Sequence, residues 1–214
     1  MSVYSIFSGE NLSNLDPLNA EEIKRILQEM ATPVFEKMNI HSTKNEYVWS
    51  SDYNEEGIKK IVRFSYRGTT GHLLIGTNFK FMPMINTKQK IVFKKDKLHL
   101  FDSTKKIIDS KKDISLWNEK LFVTSLEKFL HKRIDKIERY FSNTTTIQQN
   151  IDIALKQLED SDESYKTHHP EVNYILPFLH AKLGEKEKAI QLMENHLTVT
   201  ETAPREILDY LKKL

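Results

Sequence analysis

Two alternating runs around a short glycine-flanked loop constrain this chain more than any other feature. Val62, Phe64 and Tyr66 alternate with Ile61, Arg63, Ser65 and Arg67. After Gly68-Thr69-Thr70-Gly71, the residues Leu73, Ile75, Thr77, Phe79 and Phe81 alternate with His72, Leu74, Gly76, Asn78 and Lys80. Strand side chains point to opposite faces with period two, so each run carries one apolar and one largely polar face. Two such runs joined by a short Gly-flanked loop predict an antiparallel hairpin. Its apolar face needs a covering layer, which the rest of the chain must supply.

Candidate covers lie on both sides. Asn19 can cap a helix, with Glu21 and Glu22 in its first turn at the positive end of the dipole. Ile23, Ile26, Leu27 and Met30 recur at helical spacing, and Val34, Phe35 and Met38 extend the stripe. Pro33 inside that stripe kinks the helix or divides it. Tyr47-Val48-Trp49 predicts a strand, and 52–57 a turn. Ile91-Val92-Phe93 and the run from Leu98 to Phe101 flank Lys94-Lys95-Asp96-Lys97, which predicts a second, weaker hairpin.

Beyond it, Ile114, Trp117, Leu121, Phe122, Leu126, Phe129, Leu130, Ile134, Ile137 and Phe141 fall on one broad stripe. They predict a long amphipathic helix starting near Asp113. Residues 142–146 break it, Ile147 to Leu158 continues as a further helix, and the acidic, Ser-rich stretch 159–164 reads as a loop. The expected fold is α+β: an antiparallel β-sheet of about four or five strands packed by helices, followed by an α-helical C-terminal segment. The expected division is an α+β domain over 1–141 and a helical extension over 142–214.

Two stretches resemble known families. Asn173 to Leu197 resembles part of a tetratricopeptide repeat. Leu176 stands at the first-helix leucine, Gly184 at the turn, and Ala189 where the two helices pack closely. Pro177, His180 and His196 depart from that pattern at its glycine, tyrosine and second alanine. An ordinary helical hairpin of Tyr174–Leu183 and Lys186–Leu197 explains the same residues. Ile23 to Ile85 resembles an uncharacterised bacterial domain family, through the apolar step Phe35 to Ile40, the aromatic strand with Tyr47 and Trp49, and the long hairpin that follows. That family, a domain of unknown function, implies no catalytic residue.

Composition narrows the function classes. Lys and Arg number 32 against 30 Asp and Glu, a net charge of +2, so long-range attraction for nucleic acid or anionic membranes is not expected. No Cys is present, which excludes disulfides, thiolate nucleophiles and Cys-ligated zinc or iron–sulfur sites. No apolar stretch approaches the ~20 residues a membrane span needs. Met1 to Pro17 lacks the basic and apolar regions of a signal peptide. A cytoplasmic location is the expectation.

Four constellations are candidates for chemistry. An Arg67–His72 facing pair across a four-residue loop would place Arg63, Arg67, His72 and Asn78 on one face, with Gly76 leaving an open patch beside Arg63. That face reads either as the solvated side normal for antiparallel sheets or as a ligand-binding surface for an anion or carboxylate. Among the histidines, His99 lies three residues from Asp102, and His168 and His169 adjoin. His41, His72 and His131 are scattered. None has metal-site spacing, so no metal and no cofactor are expected. There is no Gly-x-Ser-x-Gly elbow and no phosphate-binding glycine loop, and the acids Asp160 and Asp162 sit in a predicted loop. Lys88 to Lys112 is Lys-rich with Phe93 and Phe101 interleaved, a pattern shared by single-strand nucleic-acid binders and by Lys-protected edge strands. The balanced charge favours the edge strands. The resulting expectation is a non-catalytic protein-interaction module, of immunity or accessory type, with another protein as partner. The alternative is a small-ligand or anion-binding protein, or an enzyme, using the polar face of the hairpin.

Overall fold

Residues 17–86, 88, 90–101, 114–159, 170–200 and 206–214 are described in the computed structural model, without the side chains of 198–200. The hairpin forms the centre. Strand β3 (Ile58–Arg67) pairs antiparallel with β4 (Thr70–Phe79) along its whole length. Short strands extend the sheet on both sides. β1 (His41–Ser42) and β2 (Val48–Ser50) add to β3, while β7 (Leu100–Phe101) and β8 (Ile114–Ser115) both pair with the far edge of β4. A separate ribbon pairs β5 (Met84–Ile85) with β6 (Ile91–Val92). The fold is α+β with an antiparallel sheet, as expected, and its six strands exceed the expected number. The surplus consists of two-residue pieces, too short to show alternation.

The hairpin register differs from expectation. Arg67 faces Thr70 and Ser65 faces His72, because the chain reverses in two residues, Gly68 and Thr69, instead of four. Gly68 has φ +57°, a left-handed value that costs glycine little. The shift of two residues keeps every side chain on its expected face but changes every partner.

Three helices cover the inner face of the sheet toward the loop end of the hairpin. α1 (Ala20–Met30) begins with a capping box: the Asn19 side chain accepts from the Glu21 and Glu22 amides at 3.0 and 3.1 Å, and the Glu22 carboxylate accepts from the Asn19 amide at 2.8 Å. Pro33 divides the apolar stripe, so α2 (Thr32–Glu36) starts anew with proline in its first turn. α3 (Glu119–Ser142) starts later than expected. Asn118 caps it, accepting from the Leu121 amide at 2.9 Å, while Ile114 and Ser115 are strand. Ile114 and Leu116 alternate into the core, a spacing that also fits a helical stripe over a short window. Asp113, the expected start, lies outside the described residues. Ile23, Ile26, Leu27 and Phe35 then meet Trp49, Val62, Phe64, Leu73 and Ile75 of the sheet and Phe122, Leu126 and Ile137 of α3. The Trp49 indole donates to the Thr32 hydroxyl at 2.8 Å, which satisfies its one polar atom in the core.

Four more helices follow: α4 (Ile147–Glu159), α5 (Val172–Lys182), α6 (Lys186–Thr200) and α7 (Glu206–Lys213). α5 is buried on nearly all sides, consistent with its apolar sequence. Its cluster reaches into the sheet through Ile58, Phe79 and Leu100, and includes Phe81 just past the end of β4. Polar ties repeat the connection: Gln157 Nε2 donates to the Phe101 carbonyl at 2.6 Å, and the Tyr174 and Tyr210 hydroxyls donate to the Pro83 and Phe81 carbonyls at 3.0 and 2.8 Å. α5 and α6 are the helical pair expected around Gly184. That glycine has φ +86°, and the chain closes α5 through Gly184 N–H to Ala181 O at 2.9 Å and Glu185 N–H to His180 O at 3.0 Å. His180, a departure from the repeat pattern, places Nδ1 2.7 Å from a Glu185 carboxylate oxygen, and that contact lowers the Glu185 pKa.

Candidate functional site

The outer face of the hairpin is built in rows about 7 Å apart along the strands. From the loop inward these are Arg67 with Thr70, Ser65 with His72, Arg63 with Leu74, Ile61 with Gly76, and Lys59 with Asn78. Arg67 is exposed, and Arg63 and His72 are half-buried. Asn78 is fully buried and stands two rows, about 14 Å, from Arg63. The four sequence candidates therefore share a face without converging on one point.

The expected second hairpin does not form. β6 pairs with β5 and β7 pairs with β4, which frees the intervening lysine-rich turn to cross the outer face. Asn78 anchors it. Its side-chain amide donates to the Lys94 and Lys97 carbonyls at 2.9 and 2.7 Å, while its oxygen accepts from the Tyr53 hydroxyl at 2.6 Å. Leu98 then packs on Val48 and Ile61, with Leu74 and Phe101 at the edge of the cluster. Val48 and Leu74 are the two residues directly opposite Arg63 in the neighbouring strands. The open patch expected at Gly76 is filled. A Cβ there would meet the Leu100 carbonyl oxygen and lie 2.7 Å from Phe101 Cα, so glycine is what lets β7 approach.

Lys94 and Lys97 thus lie on a turn that Asn78 holds from beneath and that Leu98 fixes on Val48, the residue opposite Arg63 in β2. Asp96, the one acid in the turn, is engaged by Lys59 at 3.3 Å, and Lys59 also lies over the Tyr53 ring at 5.3 Å. Among the described residues, no carboxylate comes within 4.0 Å of Arg63, Lys94 or Lys97. Lys97 is half-buried, and its pKa is held below the ordinary lysine value, first by burial and then by the positive charges of Arg63 and Lys94. Clustered cations without a counter-charge are an arrangement that attracts an anion.

His99 is consumed by the fold. Its Nδ1 accepts the Phe79 amide proton at 3.0 Å, and its pKa is pushed down to about 3, by burial first and the charge of Lys97 second. Asp102, Asp160, Asp162, His168 and His169 lie outside the described residues, as does 102–112 of the basic run. Within the described part of that run, Phe93 meets the Tyr210 ring edge-on at 5.7 Å, and Phe101 belongs to the outer cluster. His41 is exposed on β1, and His131 lines an open groove with Met30, Val34, Leu130, Glu127 and Lys128. That groove carries both signs of charge and so shows no preference for either. Among the described residues, no three His, Asp or Glu side chains are grouped as a metal ion needs. No described helix is long and apolar enough to cross a membrane.

Lys94 and Lys97 belong to the Lys88–Lys112 run that the sequence singles out, but nothing in the sequence joins that run to the face of the hairpin. The one available signal was a charge run between two apolar residues, Phe93 and Leu98, and it predicts an edge loop equally well. Compared with protein-family models, with curated proteins and with solved structures, the chain has no match.

Proposed function

We propose that the chain is a non-catalytic interaction module, of accessory or immunity type, that engages an acidic surface of a partner protein through the outer face of its central hairpin. One observation supports this reading: a lysine-rich turn, Lys94 to Lys97, is held by Asn78 and Leu98 against the face that carries Arg63 and Arg67. Holding like charges together costs free energy unless a partner of opposite sign relieves it. Arg67 extends the positive strip toward the hairpin loop. The apolar residues Val48, Leu74 and Leu98 beside it keep water from part of the strip, which strengthens a charge pair formed there. The absence of Cys accords with a reducing, cytosolic setting.

The test is capture of partners from nuclease-treated lysate of the source organism by the wild-type chain and by the double variant Arg63→Glu/Lys97→Glu. The expected result is a nuclease-resistant protein partner held by the wild type, released by rising salt and lost on charge reversal. Equal capture by both proteins would remove the outer face from the account.

A further inference from the structure

Phe93 stands outside the core. Its side chain is 53% exposed, and among the described residues no large apolar side chain is more so. The two residues before it, Ile91 and Val92, pair with Ile85 and Met84 in the ribbon and are half-buried. The ring is nevertheless held in place. Tyr210 of α7 meets it edge-on at 5.7 Å. Tyr210 is itself fixed, by the bond of its hydroxyl to the Phe81 carbonyl at 2.8 Å and by the Phe178 ring of α5 at 6.3 Å. On the other side, the carbonyl of the next residue, Lys94, accepts from the buried Asn78 amide at 2.9 Å. Lys94 and Lys95, both exposed, follow Phe93 directly in the chain, and the next residue, Asp96, is engaged by Lys59 at 3.3 Å.

We propose that Phe93 is the anchor by which this chain docks into an apolar pocket of its protein partner, a pocket bordered by carboxylates that meet Lys94 and Lys95. The inference rests on the interaction-module reading above and names the residue that carries the contact. A ring left in water gains free energy when a partner covers it. An aromatic side chain turns about only two bonds, and this one is already held by Tyr210, so little freedom is lost on docking. Aromatic residues are enriched at the buried centres of protein interfaces for these reasons. The flanking ammonium groups select a pocket with an acidic rim over a basic one. A single nucleic-acid strand stacks on such rings too, but a net charge of +2 supplies little of the attraction that strand needs.

The experiment places a benzophenone cross-linking amino acid at position 93 of the full chain and, as a control, at position 155, where Leu155 is exposed on α4. Both proteins are irradiated in nuclease-treated lysate, and the joined peptides are identified by mass spectrometry. The expected result is one protein joined through position 93 and not through 155, at a peptide that carries Asp or Glu beside apolar residues. That protein is then purified and titrated with the wild type and with variants. Phe93→Ser should weaken binding by about thirtyfold or more, and Phe93→Tyr should retain it. Lys94→Glu/Lys95→Glu should weaken it most at low salt. The urea midpoint of Phe93→Ser should match the wild type, because an exposed position contributes little to stability. Cross-links from both positions alike, a joined peptide rich in Lys and Arg, or Phe93→Ser binding as tightly as the wild type would overturn the proposal. A partner kept by Phe93→Ser and lost in Arg63→Glu/Lys97→Glu overturns the anchor and leaves the outer face standing. A partner released by nuclease, or no protein partner at all, overturns both readings.

Discussion

The side-chain amide of Asn78, fully buried in β4, donates a hydrogen bond to the Lys97 carbonyl at 2.7 Å. This bond and its companion to the Lys94 carbonyl turn a lysine-rich loop into a fixed wall of the outer face. Asn78 therefore holds the lysine-rich turn from beneath.

Replacing Asn78 with Ala removes the partner of two backbone carbonyls and of the Tyr53 hydroxyl together. Each buried group left unpaired costs about 1–3 kcal/mol. The expected loss of stability is about 3 kcal/mol, read as a lower urea midpoint at unchanged slope. A loss under about 1 kcal/mol would mean that the turn is not held by this residue.

Stability should fall in acid through His99. The ring is buried and titrates at about 3 in the folded chain, against 6.5 for an ordinary histidine. Between these values the unfolded chain binds a proton that the folded chain does not. The folded state is thus fully favoured above about pH 6.5 and loses up to about 1.4 kcal/mol per pH unit as pH falls toward 3. His99→Asn keeps a side-chain acceptor for the Phe79 amide and removes the titration. Urea unfolding between pH 5 and 6.5 should show a steeper pH dependence in the wild type than in this variant. Parallel curves would place the acid sensitivity elsewhere.

Gly76 tests the close approach of β7. A methyl group there meets the Leu100 carbonyl oxygen and the Phe101 backbone, which cannot rotate aside as a side-chain end can. Gly76→Ala should cost about 1–3 kcal/mol, and amide exchange at Thr77 and Leu100, which pair across β4 and β7, should quicken. Unchanged exchange at these residues would contradict the packing.

Local chemistry alone determined much of this protein. The hairpin was legible because the runs from Ile61 to Arg67 and from His72 to Phe81 alternate on either side of a glycine-flanked loop, and the capping box because Asn19 and Glu22 satisfy each other within one turn. Pro33 could only interrupt its helix, and Gly184 marked the reversal between α5 and α6. These features depend on residues a few positions apart. Tertiary structure decided the rest. Ile114 became strand because β4 offered an open edge at Thr70 and Gly71, a fact invisible in a stripe that fits helix as well. Asn78 went inside because a turn some twenty residues later folded over it. Lys97 comes to the face that carries Arg63 by the same route. Their 34-residue separation has no period to read, and only the pairing of β7 with β4 instead of β6 brings the lysine across the face. A turn laid across a sheet by chain crossing is a property of packing, whereas strands, caps and tight turns are properties of neighbours in the chain.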